Sequence, residues 1–339
     1  MAWIESHWER VTPVSAALSP LSVLFGAAAA ARRAAYRNGL LAAVRLPVPV
    51  VVAGNITAGG AGKTPLALWL AASLRAKGYR PGIVSRGYGG RSGEPQRVLP
   101  DSDPLACGDE AVLIARRSGC AVWTAADRVA AGRSLLAAAQ PACDVLISDD
   151  GLQHYALARD VEICVVDAAR GFGNGWLLPA GPLRERPSRT ATVDAVVLNV
   201  GHETARHASL EAIPAEVPQF MMRLVGSTFR NVLDPRRQVG ADHFHGKRVH
   251  AVAGIGHPAR FFAQLRALGV EFTSHPFPDH HPYSASDLEF PAADAVLMTE
   301  KDAVKCRRFA RESYWELAVD AVLDDALLER VLRKLRSRG

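Results

Sequence analysis

Short β-branched apolar runs alternate with longer stretches of helical periodicity along most of this chain. Val48–Ala53, Gly82–Ser85, Asp144–Ser148, Val161–Asp167 and Ala195–Val200 are apolar at nearly every position, as strands buried on both faces are. Between most of them lie helical stretches at Pro65–Lys77, Asp109–Arg117 and Arg128–Ala139. That order predicts βα units around a mainly parallel sheet. A second set follows, with Val249–Ala253, Ala295–Thr299 and Leu317–Val322 as strands and Ala259–Leu268 and Ala326–Arg336 as helices. The stretch Pro218–Gly246 between the sets is extended and turn-like, carrying Gly226, Asn231, Asp234, Pro235 and Gly240. The expected organisation is an α/β protein in four parts: a helical segment at 1–40, a main α/β domain at 41–217, an extended linker at 218–246 and a smaller α/β domain at 247–339.

The N-terminal part breaks this pattern. Val11–Ala31 is a run of 21 residues without a charge, followed at once by Arg32 and Arg33. Pro13 and Pro20 interrupt it, so only Leu21–Ala31 is firmly helical and apolar. A secretory signal is disfavoured, because Glu5, Glu9 and Arg10 precede the run. The expectation is a helix lying at a membrane surface, with Leu21, Leu24 and Phe25 in lipid and Arg32, Arg33 and Arg37 at headgroup level. The alternatives are a spanning helix and an alanine-rich helix packed on the protein's own core.

Composition narrows the class without choosing a function. A hydrophobic share of 49% and a charged share of 22% are ordinary globular values and exclude a disordered or fibrous chain. Cys107, Cys120, Cys143, Cys164 and Cys306 form no C-x-x-C pair, which argues against a disulfide scaffold or a thiolate zinc site. The net charge of +6 suits anionic partners. A nucleic-acid role is not expected, since the basic residues are scattered and no aromatic–basic recognition motif is present.

The sharpest chemistry lies at Gly54–Thr64. A buried strand ends at Ala53, a glycine-rich loop follows, and Pro65 marks a helix start. Such a loop curls backbone N–H groups around phosphate oxygens at the positive end of a helix. The nucleotide cradle is expected over Thr57, Ala58, Gly59, Gly60, Ala61, Gly62, Lys63 and Thr64, with Lys63 on the β- and γ-phosphates of ATP and the Thr64 hydroxyl on Mg²⁺. Thr57 stands where the general pattern has its first glycine. A strand over Asp144–Ser148 then delivers Asp149 and Asp150 to the sheet's carboxyl end, as a metal-binding partner of the loop requires. A switch-type ATPase shares the Gly-Gly-x-Gly-Lys-Thr core, but such proteins often carry a lysine where this chain has Ala58. Seven of the 11 histidines fall between His243 and His281, which keeps a separate metal site open as an alternative.

These motifs together resemble the tetraacyldisaccharide 4'-kinase (lipid A 4'-kinase) family. The resemblance rests on Gly54–Pro65, Ser85–Gly89, Gly108–Glu110, Asp149–His154, Leu178–Glu185, Phe277–His281 and Thr299–Asp302, which span nearly the whole chain. It implies a P-loop NTPase-like domain joined by a β-stranded linker to a second α/β domain, and an N-terminal membrane-associating helix. It also implies transfer of the ATP γ-phosphate to the 4'-hydroxyl of an acylated disaccharide 1-phosphate, with Mg²⁺, at the cytoplasmic face of the inner membrane. By resemblance Asp109 is the base and His280 its partner, although His281 is adjacent and sequence does not separate the two. Glu185 joins Thr64, Asp149 and Asp150 around the metal or orders the loop, while Arg86, Tyr88 and Arg184 face nucleotide or sugar. Lys301 and Asp302 are expected near the nucleotide from across the cleft.

Overall fold

The computed structural model describes residues 5–88, 90, 93–201 and 207–337; Gly89 of the Ser85–Gly89 motif lies outside them. In chain order the principal elements begin with α1 (Pro13–Arg37), β1 (Val50–Gly54), α2 (Lys63–Ala76), β2 (Pro81–Ser85) and β3 (Gln96–Val98). They continue with α3 (Pro104–Cys107), α4 (Asp109–Ser118), β4 (Ala121–Thr124), α5 (Arg128–Ala138), β5 (Val145–Asp149) and β6 (Val161–Asp167). Next come β7 (Ala195–Val200), β8 (Gln219–Val225), β9 (Phe229–Asn231), β10 (Gln238–Val239), β11 (Val249–Ala253) and α6 (Pro258–Ala267). The chain closes with β12 (Thr273–Pro276), β13 (Ala295–Thr299), α7 (Glu300–Cys306), β14 (Tyr314–Leu317), β15 (Asp320–Leu323) and α8 (Asp325–Arg336).

Two sheets carry the molecule. The larger has nine strands in the order β15-β8-β7-β6-β1-β5-β2-β4-β3, parallel except at its two edges. The smaller has six, in the order β10-β9-β14-β13-β11-β12. In the larger sheet β1 lies between β5 and β6, with Ala53 opposite both Asp149 and Ile163. Leu66, Leu70 and Leu74 of α2, Val112 of α4 and Val331 of α8 bury one face of this sheet, while Leu135 of α5, Phe172 and Leu183 bury the other. The smaller sheet is likewise covered on both faces, by Phe261 and Leu265 on one and by Tyr283, Ala303 and Cys306 on the other. Val304 of α7 belongs to the larger sheet's core although Ala303 and Cys306 belong to the smaller one's, so α7 is wedged between the two.

One strand expectation changes here. The run Leu317–Val322 is not one strand: β14 ends at Leu317, and β15 pairs antiparallel with β8 at the edge of the larger sheet. The turn is held by Ala318 N donating to Thr228 O at 3.1 Å and Val319 N donating to a Glu300 oxygen at 3.0 Å. The residues expected as one smaller domain at 247–339 therefore end in a strand and helix that pack on the larger sheet. The stretch at 218–246 supplies β8 to the larger sheet and β9 and β10 to the smaller one.

The N-terminal helix is also longer than its firmly helical half. Thr12 caps it through a reciprocal pair with Ser15, and Pro13 sits in the first turn, where a missing N–H costs nothing. Its polarity is inverted. Ser15 and Ser22 are buried, the Ser22 hydroxyl donates to Leu177 O at 2.8 Å, and Gly26 lies so close to Leu177 that a Cβ would stand 2.5 Å from its Cδ1. Leu21, Val23 and Leu24 are instead 53%, 70% and 67% exposed on the outer side. Arg32 and Arg33, expected at headgroups, bond to the body through Gln153 O and the Thr192 hydroxyl, while Arg37 stays exposed.

Candidate active site

Strand β1 delivers the chain into the glycine-rich loop at the centre of the larger sheet. Gly62, at φ +97°, turns the loop into α2; a Cβ there would stand 2.7 Å from Asn199 Nδ2 and 2.9 Å from Met222 Cε. Both the left-handed backbone and the close approach demand glycine. The loop is held from outside by Ala58 N donating to Pro182 O and Arg184 N donating to Ile56 O, each at 2.7 Å, and by Asn199 Nδ2 donating to Ala61 O at 3.0 Å. Inside it, the fully buried Asn55 bonds to the Thr57 hydroxyl and accepts from Lys63 Nζ at 3.3 Å. Lys63 Nζ is also 3.6 Å from Asp150 Oδ1. The Lys63 ammonium is thus fixed at the helix N-terminus, where phosphate oxygens gather.

Strand β5 brings up the two carboxylates. The Thr64 hydroxyl donates to Asp149 Oδ2 at 3.4 Å, whereas Asp149 Oδ1 is buried with no partner. Burial, then the charges of Glu110 and Asp150, push the Asp149 carboxyl up to about 7. Burial also works on Asp150, but Lys63, Arg184 and Arg128 more than offset it and hold that carboxyl below its ordinary value. A buried carboxylate oxygen without a partner, beside a hydroxyl and a second carboxylate, fits Mg²⁺, which takes few protein oxygens and completes its shell with phosphate and water. Glu185 does not join this group. Its oxygens accept from Gln153 Nε2 at 2.9 Å and from the Tyr155 hydroxyl, with Arg189 Nε 3.6 Å away. Because Gln153 Nε2 also donates to Asn55 O at 2.9 Å, Glu185 is tied through Gln153 to the root of the loop.

The remaining expected residues gather around these groups. Arg184 Nη1 lies 3.3 Å from Asp150 Oδ1. Arg86 is exposed at the end of β2, near enough to the buried Arg128 for its charge to add to burial in lowering the Arg128 pKa. Arg128 donates to Asp150 O at 3.0 Å. Tyr88 is exposed and its ring centroid lies 5.0 Å from that of His280.

His280 reaches Asp109 across the boundary between the sheets. Asp109 opens α4 and is 5% exposed; its Oδ1 accepts from Glu110 N at 2.8 Å and its Oδ2 lies 3.0 Å from His280 Nδ1. Burial raises the Asp109 carboxyl, yet the His280 hydrogen bond and the charges of Lys301, His280 and Lys305 bring it below its ordinary value. Burial, joined by the charge of Lys301, lowers His280, but the Asp109 bond and the charges of Asp109 and Asp279 together leave the imidazole above its ordinary value. The neighbouring His281 turns elsewhere, with Nε2 3.3 Å from Asp287 Oδ2 and its ring packed on Phe277 and Tyr283. Glu110, next to Asp109 on α4, lies near enough to Asp149 for its charge to raise that carboxyl.

Several residues of the site escape motif reading. Asn55 lies inside the recognised glycine-rich stretch, but only its complete burial reveals a structural role. Asp302 was expected near the nucleotide and is instead fully buried, accepting from Gly254 N at 3.1 Å and the Thr299 hydroxyl at 2.7 Å. Lys301 meets Glu110, Asp279 and His280 rather than the loop. More contacts join the sheets nearby: Arg260 pairs with Asp167 through Nη1 and Nη2, and Arg117 with Glu300. A cavity of about 480 Å³ opens beside Thr57 and Gly60, bounded by Arg10 and Arg170.

Known proteins resemble this chain in sequence and fold. The family described as Tetraacyldisaccharide-1-P 4'-kinase matches residues 14–336. A tetraacyldisaccharide 4'-kinase of Azoarcus sp. (strain BH72) is 50% identical over 332 residues, covering 98% of this chain and 95% of that protein. One from Aromatoleum aromaticum is 52% identical over 330 residues, covering 97% and 96%. The crystal structure of LpxK from Aquifex aeolicus in complex with ATP aligns with a TM-score of 0.79 at 29% identity, covering 95% of this chain and 99% of that one.

Proposed function

The chain belongs to the tetraacyldisaccharide 4'-kinase family and is an ATP-binding lipid kinase of lipid A biosynthesis, and from that premise we propose how its residues divide the work. The acceptor is the 4'-hydroxyl of a tetraacyldisaccharide 1-phosphate. The loop Thr57–Thr64 holds the ATP phosphates, and Lys63 neutralises charge on the migrating phosphoryl group. Phosphoryl transfer passes through a loose transition state, so positioning and charge neutralisation matter more than covalent chemistry. Thr64, Asp149 and Asp150 would hold Mg²⁺, which supplies further neutralisation when bound. Asp109 accepts the proton of the sugar hydroxyl, with His280 orienting its carboxylate. Arg184 keeps Asp150 charged and in place, and Arg86 and Tyr88 flank the acceptor. The observation that carries this reading is the 3.0 Å contact between His280 and a buried Asp109.

ADP release should therefore depend on the lipid. Adding the disaccharide acceptor should raise turnover at least about tenfold over ATP alone, since a positioned acceptor replaces water in the near-attack geometry. Equal turnover with and without lipid would favour a switch-type ATPase. Asp149→Asn should raise the Mg²⁺ concentration needed for half-maximal activity by about tenfold or more, because one charged ligand is lost. An unchanged Mg²⁺ requirement removes Asp149 from the metal site.

The inverted α1 supports docking on a membrane surface, and the proposed surface is the cytoplasmic face of the inner membrane. The helix is long and apolar enough to cross a bilayer, but its small-residue face is held by the protein body through Ser22 and Gly26. Lying on the surface keeps those contacts and gives Leu21, Val23 and Leu24 a lipid environment. Replacing these three residues by Ser should move the protein from the membrane pellet to the supernatant of a sedimentation assay. High salt alone should release the wild type only in part, because apolar insertion is not screened. Full release by salt contradicts insertion.

A further inference from the structure

One ammonium joins both sheets at the dyad. Lys301, in the first turn of α7, places Nζ 3.2 Å from Glu110 Oε1 on α4, 3.4 Å from Asp279 Oδ1 and 3.3 Å from His280 Nε2. A lysine ammonium has only N–H donors, so His280 Nε2 must accept there with its lone pair. The ring proton is then on Nδ1, and the 3.0 Å contact runs from Nδ1–H to Asp109 Oδ2. We propose that Lys301 is a positioning residue that fixes this tautomer of the neutral ring, opposes protonation of Nε2 and leaves Asp109 as the acceptor of the sugar proton. The proposal rests on the reading of Asp109 as the base.

The surroundings make the lock effective. A second proton, on Nε2, would set an imidazolium N–H against the ammonium at 3.3 Å, so two donors and two positive charges would face each other. Lys301 itself stays charged: burial lowers it, but Glu110, Asp109 and Asp279 raise it above its ordinary value. The other groups facing the ring are Tyr88, Asp279 Oδ2 at 3.8 Å from Nε2, and Lys305, whose Nζ is 4.0 Å from Asp109 Oδ2. Lys305 is taken up by Asp302 at 2.9 Å, which leaves Lys301 as the cation on Nε2 among the described residues. Glu110 comes from the larger-sheet side and Lys301 from α7, so the lock forms when the two sheets meet.

Lys301→Met and Lys301→Arg separate this role from simple packing. Loss of the charge lets His280 protonate more easily, so the acid limb of the kcat profile should move up by about one pH unit. Lys301→Met would then be about tenfold slower than wild type near the limb and recover toward it at alkaline pH. Lys301→Arg keeps a charged donor and should stay on the wild-type profile. In the wild type, ¹⁵N shifts of the His280 ring should report the Nδ1–H tautomer. A uniform loss at every pH in Lys301→Met, or an Nε2–H tautomer in wild type, overturns the proposal. If Asp109→Asn kept full activity, the base reading would fail instead, and the ring shifts would still decide the tautomer.

Discussion

Lys63→Ala should lower kcat by about a thousandfold or more, since a fixed charge on a migrating phosphoryl group is worth several kcal/mol in a water-poor site. The side chain cannot be replaced by a neighbour. Its ammonium is held between Asn55 Oδ1 and Asp150 Oδ1 at the first residue of α2. Arg184 and Arg128 remain to neutralise Asp150, so the variant should still fold, with a melting temperature within a few degrees of wild type. Lys63→Arg should not restore activity, because a wider guanidinium has to fit the same gap. Single-turnover phosphoryl transfer at saturating lipid measures the loss directly. A Lys63→Ala enzyme close to wild type would refute the assignment of the loop.

The second large effect concerns the contact between the sheets. Asp109→Ala and His280→Ala should each lower kcat by about 10²–10⁴-fold, and the double variant should lose far less than the product of the two. The non-additivity follows from the geometry: His280 acts by holding Asp109 Oδ2, so it has nothing left to orient once that carboxylate is gone. The KM for ATP should barely change, because the dyad does not build the phosphate loop. His281→Ala should be nearly silent, its imidazole being paired with Asp287 instead. Losses that multiply independently, or a damaging His281→Ala beside a silent His280→Ala, would break the pair. The pH dependence carries its own sign. Asp109 is held below its ordinary value and stays ionised, whereas His280 is held above its own. Activity should therefore fall as pH drops through the raised His280 value, and that limb should change in His280→Ala.

The parts of this protein that sequence reveals are those fixed locally. The glycines of the loop answer to backbone torsion and close approach within a strand–loop–helix unit, and Asp149 and Asp150 follow a strand whose apolar run ends just before them. Contacts between distant residues are harder to read. Leu317–Val322 has the look of one strand, and only the bonds at Ala318 and Val319 send its second half to another sheet. Glu185 sits in a motif beside Arg184, but its direction is decided by Gln153, Tyr155 and Arg189, which no local pattern links to it. Asp109 and His280 were matched by family resemblance, whereas the choice of His280 over His281 needed the backbone. His280 stands at φ +58°, which turns the two neighbouring imidazoles to different partners. Arg128 has no motif at all, and its part in the site emerges from burial beside Asp150.

The most direct measurement follows γ-labelled ATP with tetraacyldisaccharide 1-phosphate and Mg²⁺ in detergent micelles, comparing wild type with Asp109→Ala and mapping the phosphate on the product. Label should enter the lipid as a 4'-phosphate with wild type, and about 10²–10⁴-fold more slowly with the variant. Label released as inorganic phosphate at the same rate in both enzymes, with none in the lipid, would contradict a lipid kinase that uses Asp109 as its base.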